Sequence, residues 1–250
     1  GYTISLTNTT PEKTALFPKF RWTTVEPDWE DIERRVHEEV AAIIVEPIQG
    51  EGGDNHFPLE FFTNLRRIAD ERDCLLIFDE VQTGLGLTGK MWAYEHFDIV
   101  PDMMCFGKKT QVCGFCSTER IDEVKDNVFN TSGRINSTWG GNIVDMVRFS
   151  YIIDAIQNDK LVENAYHIGK HLLWCLRTVE GIDNVRGRGL MIAFDLPSSE
   201  LRDRMMELLQ EDMIALKCGG RSIRLRPPLT FSAEDADVAC QYIKEAVKKL

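Results

Sequence analysis

The chain has 250 residues, of which 43% are hydrophobic and 28% charged, and its formal net charge is -11. That length and apolar content can bury one large or two modest cores. The acidic balance argues against nucleic acid and anionic membrane surfaces as partners. No apolar run approaches the ~20 residues of a membrane-spanning helix.

Seven cysteines, an odd number, sit partly inside apolar runs. They favour reduced thiols in a cytoplasmic setting over a disulfide framework. Cys113 and Cys116 form one CxxC, but no second pair or suitably spaced histidines complete a zinc set. No secretory leader is visible. The opening "GYTISLTNTT", with glycine in place of methionine, points to a fragment or a processed piece.

In chain order, residues 1–27 read as loop and extended segments broken by Pro11, Pro18 and Pro27. "WEDIERRVHEEV" spaces Trp29, Ile32, Val36 and Val40 at helical intervals. "AAIIVEP" reads as a short buried parallel strand. The loop "IQGEGGDNHF" leads to a helix from about Pro58 to Arg72, with Phe61, Leu65, Ile68 and Ala69 on one face. "CLLIFDEV" predicts a second buried strand and "MMCF" a third. This βαβ spacing predicts a mainly parallel sheet. Ligands in such sheets sit at the carboxyl ends of the strands, so "EPIQGEGG", "DEVQTGLG" and "GKKTQ" should face one crevice.

From Asn142 the pattern changes. "NIVDMVRFSYIIDAIQ" predicts a long amphipathic helix, followed by a helix over 161–178. "RGRGLMIAFDL" reads as a strand, "LRDRMMELLQEDM" as a helix and "RSIRLRPPL" as a strand. A terminal helix is capped by Ser232, with Asp235 at the capping-box position. The class is therefore α/β, with a partial large domain over 1–141 and a small α+β domain over 142–250.

Taken alone, Asp79 reads as a turn or N-cap acid. Lys108 and Lys109 read as surface lysines at a strand end, or as one amine nucleophile in the crevice. "EPIQGEGG" lacks the lysine of a phosphate-binding P-loop, and "GLGLTG" is a poor dinucleotide fingerprint. Asn136, Ser137 and Thr138 could contact a phosphate or cap the following helix. Arg224 and Arg226, two apart in a strand, share a face. One or both could clamp a carboxylate. The five histidines are scattered and none is assigned a catalytic role. Together, a strand-end aspartate, a strand-end lysine, a phosphate-type loop and a carboxylate-binding arginine suit a pyridoxal phosphate enzyme.

"IIVEPIQGEGGD", "LLIFDEVQTGLGLTGKMWAYEHFDIVPDMMCFGKK", "NSTWGGN", "RGRGLM" and "SIRLRPPL" resemble class III, pyridoxal-phosphate-dependent aminotransferases of fold type I. Within that class, "FPKFRW", "GKKTQVCG" and "RINSTWGGNIVDMVR" are most similar to the lysine 6-aminotransferases. The resemblance implies a homodimer with a shared site, acting on L-lysine and 2-oxoglutarate through pyridoxal 5'-phosphate. It implies Lys108 as the cofactor lysine and Asp79 as partner of the ring nitrogen. Val81 would pack against the ring and Gln82 would bond its hydroxyl. Ser137 and Thr138 would reach a phosphate across the dimer. Arg224 would bind the α-carboxylate, and Glu51 would pair with Arg224 when lysine is the substrate. A 4-aminobutyrate or ornithine type of ω-aminotransferase, and a non-catalytic fragment, are the alternatives. Family members are far longer, and the part holding most of the phosphate turn, the ring-stacking aromatic and several strands would precede Gly1. The stretch between Pro27 and Ala41 and the loop "KCGGRS" look shortened, which bears on where Arg224 lies.

Overall fold

A computed structural model describes residues 23–135, 138 and 140–250. Two four-stranded sheets organise it. The first takes β1 (Ala42–Val45), β4 (Leu75–Asp79), β5 (Met103–Phe106) and β6 (Gly114–Ser117) in the order β1-β4-β5-β6. The pairs β1/β4 and β4/β5 are parallel, while β5/β6 is antiparallel. A small ribbon of β2 (Ile48–Gln49) and β3 (Asn55–His56) lies in the loop after β1.

Each parallel strand has a local reason. Leu76 and Phe78 of β4 are fully buried. They pack against the apolar face of a helix spanning Leu59–Glu71, which buries Phe61, Phe62, Leu65, Ile68 and Ala69. Pro58 caps that helix in extended conformation, where its missing N–H costs nothing. Asp102 fixes the register from the side: it accepts from Leu76 N at 2.7 Å and pairs with Arg66 at 2.9 Å. The predicted helix over 29–40 is shorter than its periodicity suggests. α1 (Trp29–Arg35) stops at Val36, and a turn from His37 to Val40 redirects the chain into β1. The helix over Leu59–Glu71 is thus α2.

The C-terminal sheet runs β7 (Asp183–Arg188), β8 (Met191–Asp195), β10 (Ser222–Leu225) and β9 (Leu216–Cys218), all antiparallel. The single strand expected over "RGRGLMIAFDL" is in fact the β7–β8 hairpin, because Gly189 turns the chain at φ +53. The "KCGGRS" loop is a second tight hairpin, turning at Gly219 with φ +52. Three helices cover this sheet: α4 (Leu161–Arg177), α5 (Ser199–Leu209) and α6 (Ala233–Val247). Their core includes Leu172, Leu176, Phe194, Met205, Ile223 and Ile243. The capping box at the start of α6 is present as expected, with Ser232 and Asp235 reciprocally bonded.

The long helix α3 (Ile143–Asn158), capped by Asn142, buries only Ile156. Ile143, Val144, Met146, Val147 and Tyr151 are exposed. Phe149, Ile152 and Ile153 are half-buried beside Ile156, so one face is packed; the opposite side is also apolar and open among the described residues, so the helix is less amphipathic than its sequence suggests. The first sheet shows a related feature. β1 forms its edge among the described residues, and Ile44 on it is 57% exposed.

α4 is docked on the β7–β8 turn by close backbone contact. A Cβ placed on Gly169 would lie 2.0 Å from the Gly189 carbonyl oxygen. Alanine normally favours a helix over glycine by about 1 kcal/mol, but overpacking against backbone costs ~1–3 kcal/mol. Gly169→Ala should therefore lower the urea midpoint, whereas a rise would show that α4 stands off the hairpin.

Candidate active site

Three loops leave the carboxyl ends of β1, β4 and β5, and the C-terminal sheet meets them. Asp79 closes β4, and its Oδ1 accepts from Val81 N at 3.0 Å. Its other oxygen has no protein donor among the described residues. The next residue, Glu80, is buried and acts structurally. It accepts from Tyr94 N at 2.8 Å and from the Thr83 hydroxyl. The two adjacent acids thus divide, with the Asp79 carboxylate facing the crevice and that of Glu80 bracing the turn beneath it.

β5 ends at Phe106, and Gly107 carries the chain into a 3-10 turn over Lys108–Thr110. Lys108 adopts left-handed backbone, with φ +53. That conformation is uncommon for a side-chain-bearing residue and concentrates at functional sites. Gly107 faces the Val81 methyls and Cys113 Sγ, since a Cβ there would meet them at 3.2–3.6 Å. Lys108 is exposed and its amine has no acceptor among the described residues, though it and Asp79 both act electrostatically on Glu46. Glu46 accepts from Gly50 N at 3.1 Å. Burial, reinforced by Asp79, raises its carboxyl above the usual range against these opposing effects.

Lys109 takes a different path. Its Nζ donates to the Gln82 carbonyl at 2.6 Å. Burial, with the Lys108 and Arg226 charges beside it, lowers its pKa to about 8.

Gln82 is held from two sides. Its Oε1 accepts from Arg226 Nη2 at 2.9 Å and from Nε at 3.2 Å. Gly50 leaves room for it, because a Cβ there would lie 2.1 Å from the Gln82 amide nitrogen.

The two arginines of "IRLRPP" have separate partners. Arg224 Nη2 donates to Glu51 Oε2 at 2.7 Å. Its Nε and Nη1 are buried without a hydrogen-bond partner among the described residues. Arg226 instead reaches the fully buried Asp54 through a short ion pair. Arg186 binds the same loop, donating to Asp54 O at 2.9 Å and to Gly53 O, while its Nη1 pairs with Asp195 at 2.8 Å. Burial raises the Asp54 carboxyl, with Arg226 pulling it back. His56, buried near Arg186, Arg188 and Arg226, is pushed down to about 3 and is neutral.

Sequence reading did not single out Asp54, Arg186 or Gly50. The one visible signal was an aspartate directly after Gly52-Gly53, a turn-type pattern; the structure places Asp54 in left-handed backbone, φ +52. Thr138 is exposed in a turn, while Asn136 and Ser137 lie outside the described residues. The Cys113 and Cys116 thiols of the CxxC are both free and exposed, and Cys116 lies within β6. Concave surfaces of about 310 and 270 Å3 lie elsewhere, lined by residues such as Met103, Ile121 and Val124. They carry none of the crevice chemistry.

A strand-end aspartate and a strand-end lysine on a mainly parallel sheet, facing an arginine from a second sheet, define a fold-type-I pyridoxal-phosphate-dependent transferase. The class-III aminotransferase family matches residues 11–247, and the chain belongs to that family. It is 45% identical to the L-lysine-epsilon aminotransferase of Mycobacterium tuberculosis strain H37Rv over 275 residues, covering 99% of this chain and 61% of the relative. Identity to the Streptomyces clavuligerus L-lysine-epsilon aminotransferase is 43%. It covers the same 99% of this chain and 61% of that relative. The solved lysine aminotransferase from M. tuberculosis in the internal aldimine form superposes with a TM-score of 0.90 at 45% identity, covering all of this chain and 63% of that one. The chain thus spans about three-fifths of the relatives it matches. Pyridoxal 5'-phosphate is the cofactor of this family, and the crevice fits it. Asp79 keeps an acceptor oxygen open, Lys108 an uncommitted amine, and Gly107 admits Val81 close to both.

Burial lowers Lys109 from an ordinary 10.5 to about 8. Between those values the unfolded chain binds the additional proton, so stability should rise with pH across that window. Lys109→Met should remove that rise. Urea midpoints of both proteins between pH 7.5 and 10 would measure it, and parallel curves would place the Lys109 amine in solvent.

Proposed function

We propose that the protein transfers the ε-amino group of L-lysine to 2-oxoglutarate in a ping-pong reaction, giving glutamate and the lysine-derived semialdehyde. The observation carrying this reading is the Arg224–Glu51 pair. It offers a guanidinium with buried, unpartnered nitrogens beside a carboxylate 2.7 Å away. An oxoacid carboxylate would take the open nitrogens of Arg224 and displace Glu51. When the cationic amino donor enters, Glu51 returns to Arg224 and quenches its charge. One pocket then serves both substrates in turn.

Each remaining residue has a task at a stated atom. The Lys108 amine would hold the cofactor by its aldehyde and, once released, would move the substrate proton as general acid and base. The Asp79 carboxylate would favour the protonated pyridine nitrogen. When bound, pyridoxal phosphate supplies the electron sink for the carbon that loses its proton. Val81 would pack on the ring, and Gln82, oriented by Arg226, would donate its amide to the ring hydroxyl. Ser137 and Thr138 would reach the phosphate held by the partner subunit of a homodimer in the cytoplasm. The chain divides near residue 141 into a large cofactor domain and a small domain that brings Arg224.

Incubating the purified chain with pyridoxal phosphate, reducing with borohydride and mapping the product should give one modified lysine, Lys108. Lys108→Ala should abolish it. A label on Lys109, or spread over surface lysines, would overturn the assignment. In the catalytically active protein, Glu51→Gln should reduce kcat/KM for L-lysine about tenfold to a hundredfold, as expected for loss of one charge-assisted interaction. Single-turnover reaction with 2-oxoglutarate should keep its rate. Equal losses in both half-reactions would remove the switching role.

A further inference from the structure

A second cluster of reactive side chains lies on α4 and α6, which carry none of the crevice residues. His171 and Cys175 are four apart on α4, and Asp237 and Cys240 are three apart on α6. Those spacings put each pair on one helix face. The two faces pack against each other in the C-terminal core, with Cys175 and Cys240 both buried there. Three ligand atoms converge. His171 Nε2 lies 2.7 Å from Asp237 Oδ1, and Cys175 Sγ lies 3.7 Å from each of them. All three ligand atoms lie within 4.8 Å of one another.

The geometry distinguishes two kinds of chemistry. A nucleophilic Cys-His-Asp relay needs opposite ring nitrogens of the histidine, one for the thiol and one for the carboxylate. Here the same nitrogen, Nε2, faces both. The atoms therefore surround a point rather than form a chain. Metal bonds of ~2.0–2.3 Å in a tetrahedron place ligand atoms roughly 3.3–3.8 Å apart. The two sulfur separations of 3.7 Å already match. Only the His171–Asp237 contact must open, and the Asp237 side chain is 63% exposed and free to move.

We propose that His171, Cys175 and Asp237 form a three-ligand site for a borderline-soft divalent cation, zinc above all, that pins α4 to α6, with water completing the tetrahedron. One nitrogen, one oxygen and one sulfur suit zinc better than the hard cations that take oxygen alone. Three protein ligands and one exchangeable position are a known zinc pattern. Binding releases the Cys175 thiol proton to solvent. Burial otherwise raises the Cys175 thiol and holds it protonated. A divalent charge beside it reverses that preference.

The test uses the full chain under a non-thiol reductant, with Cys113→Ser and Cys116→Ser removing the exposed thiols. Titration with Co2+ should saturate at one equivalent, with the intense visible bands of tetrahedral cobalt and a thiolate-to-metal band in the near ultraviolet. Competition with Zn2+ should bleach both. His171→Ala, at a partly exposed position, should weaken binding by more than ~10-fold, the least that loss of even a supporting group costs. Cys175→Ser should abolish the thiolate band. In addition, Zn2+ should raise the thermal midpoint of the parent chain and fail to do so in both variants. A weak octahedral spectrum, no saturable binding, or binding and midpoints unchanged by His171→Ala and Cys175→Ser would overturn the site.

Discussion

The arrangement of the crevice depends on a buried charge contact between its two sheets. Asp54, with no exposed surface, sits in the loop after β1 and is held by Arg226 from β10's end and Arg186 from β7. A carboxylate taken out of water is costly unless cations and donors surround it. Here two arginines from the C-terminal sheet converge on the loop. Arg226 also grips Gln82, so the same contact that docks the sheets aims a side chain into the crevice. Arg224, two residues away on that strand, is thereby delivered to Glu51. Removing Asp54 would leave the two buried guanidinium groups less well compensated, and the relative placement of Arg224 and Lys108 would suffer with them.

Much of the crevice was legible in the sequence, for identifiable reasons. The apolar runs Ala42–Val45 and Leu75–Phe78 are short, bounded by turn signals, and separated by a helical period, which favours parallel pairing. The acids at their ends then have one place to face. The Glu51–Arg224 pairing was legible only through family resemblance, because 173 residues separate the partners. The same distance hid the roles of Asp54 and Arg186. Local pattern cannot report a contact whose two halves lie in different sheets. The β7–β8 hairpin was missed because Arg188 and Leu190 flank Gly189 without interrupting the apolar run that follows. β6 escaped notice because its strand residues, Gly114 to Ser117, include a CxxC that invited a chemical reading. The cluster on α4 and α6 was invisible for a related reason: two short same-face spacings become a constellation only when the helices meet.

Electrostatically the crevice works against several of its own charges. Burial favours the neutral form of Glu46, His56 and Lys109, while the guanidinium groups of Arg224 and Arg226 reach into the same crevice. A site that loses its weaker charges and keeps its guanidiniums carries a positive bias toward anionic ligands. Glu51 is the acid positioned to moderate that bias locally. It is also only partly buried, so it can move between partners at modest desolvation cost.

The bare apolar side of α3 and the exposed edge at Ile44 have a consequence for how the chain behaves in solution. They are adhesive surfaces on a molecule whose net charge of -11 makes like copies repel. At low ionic strength that repulsion extends across tens of ångströms, while near 1 M salt it fades within about 3 Å. Colloidal stability of the chain therefore rests on long-range charge, and sticking rests on short-range contact. Salt removes the first and leaves the second, so raising the ionic strength brings these surfaces within reach of one another.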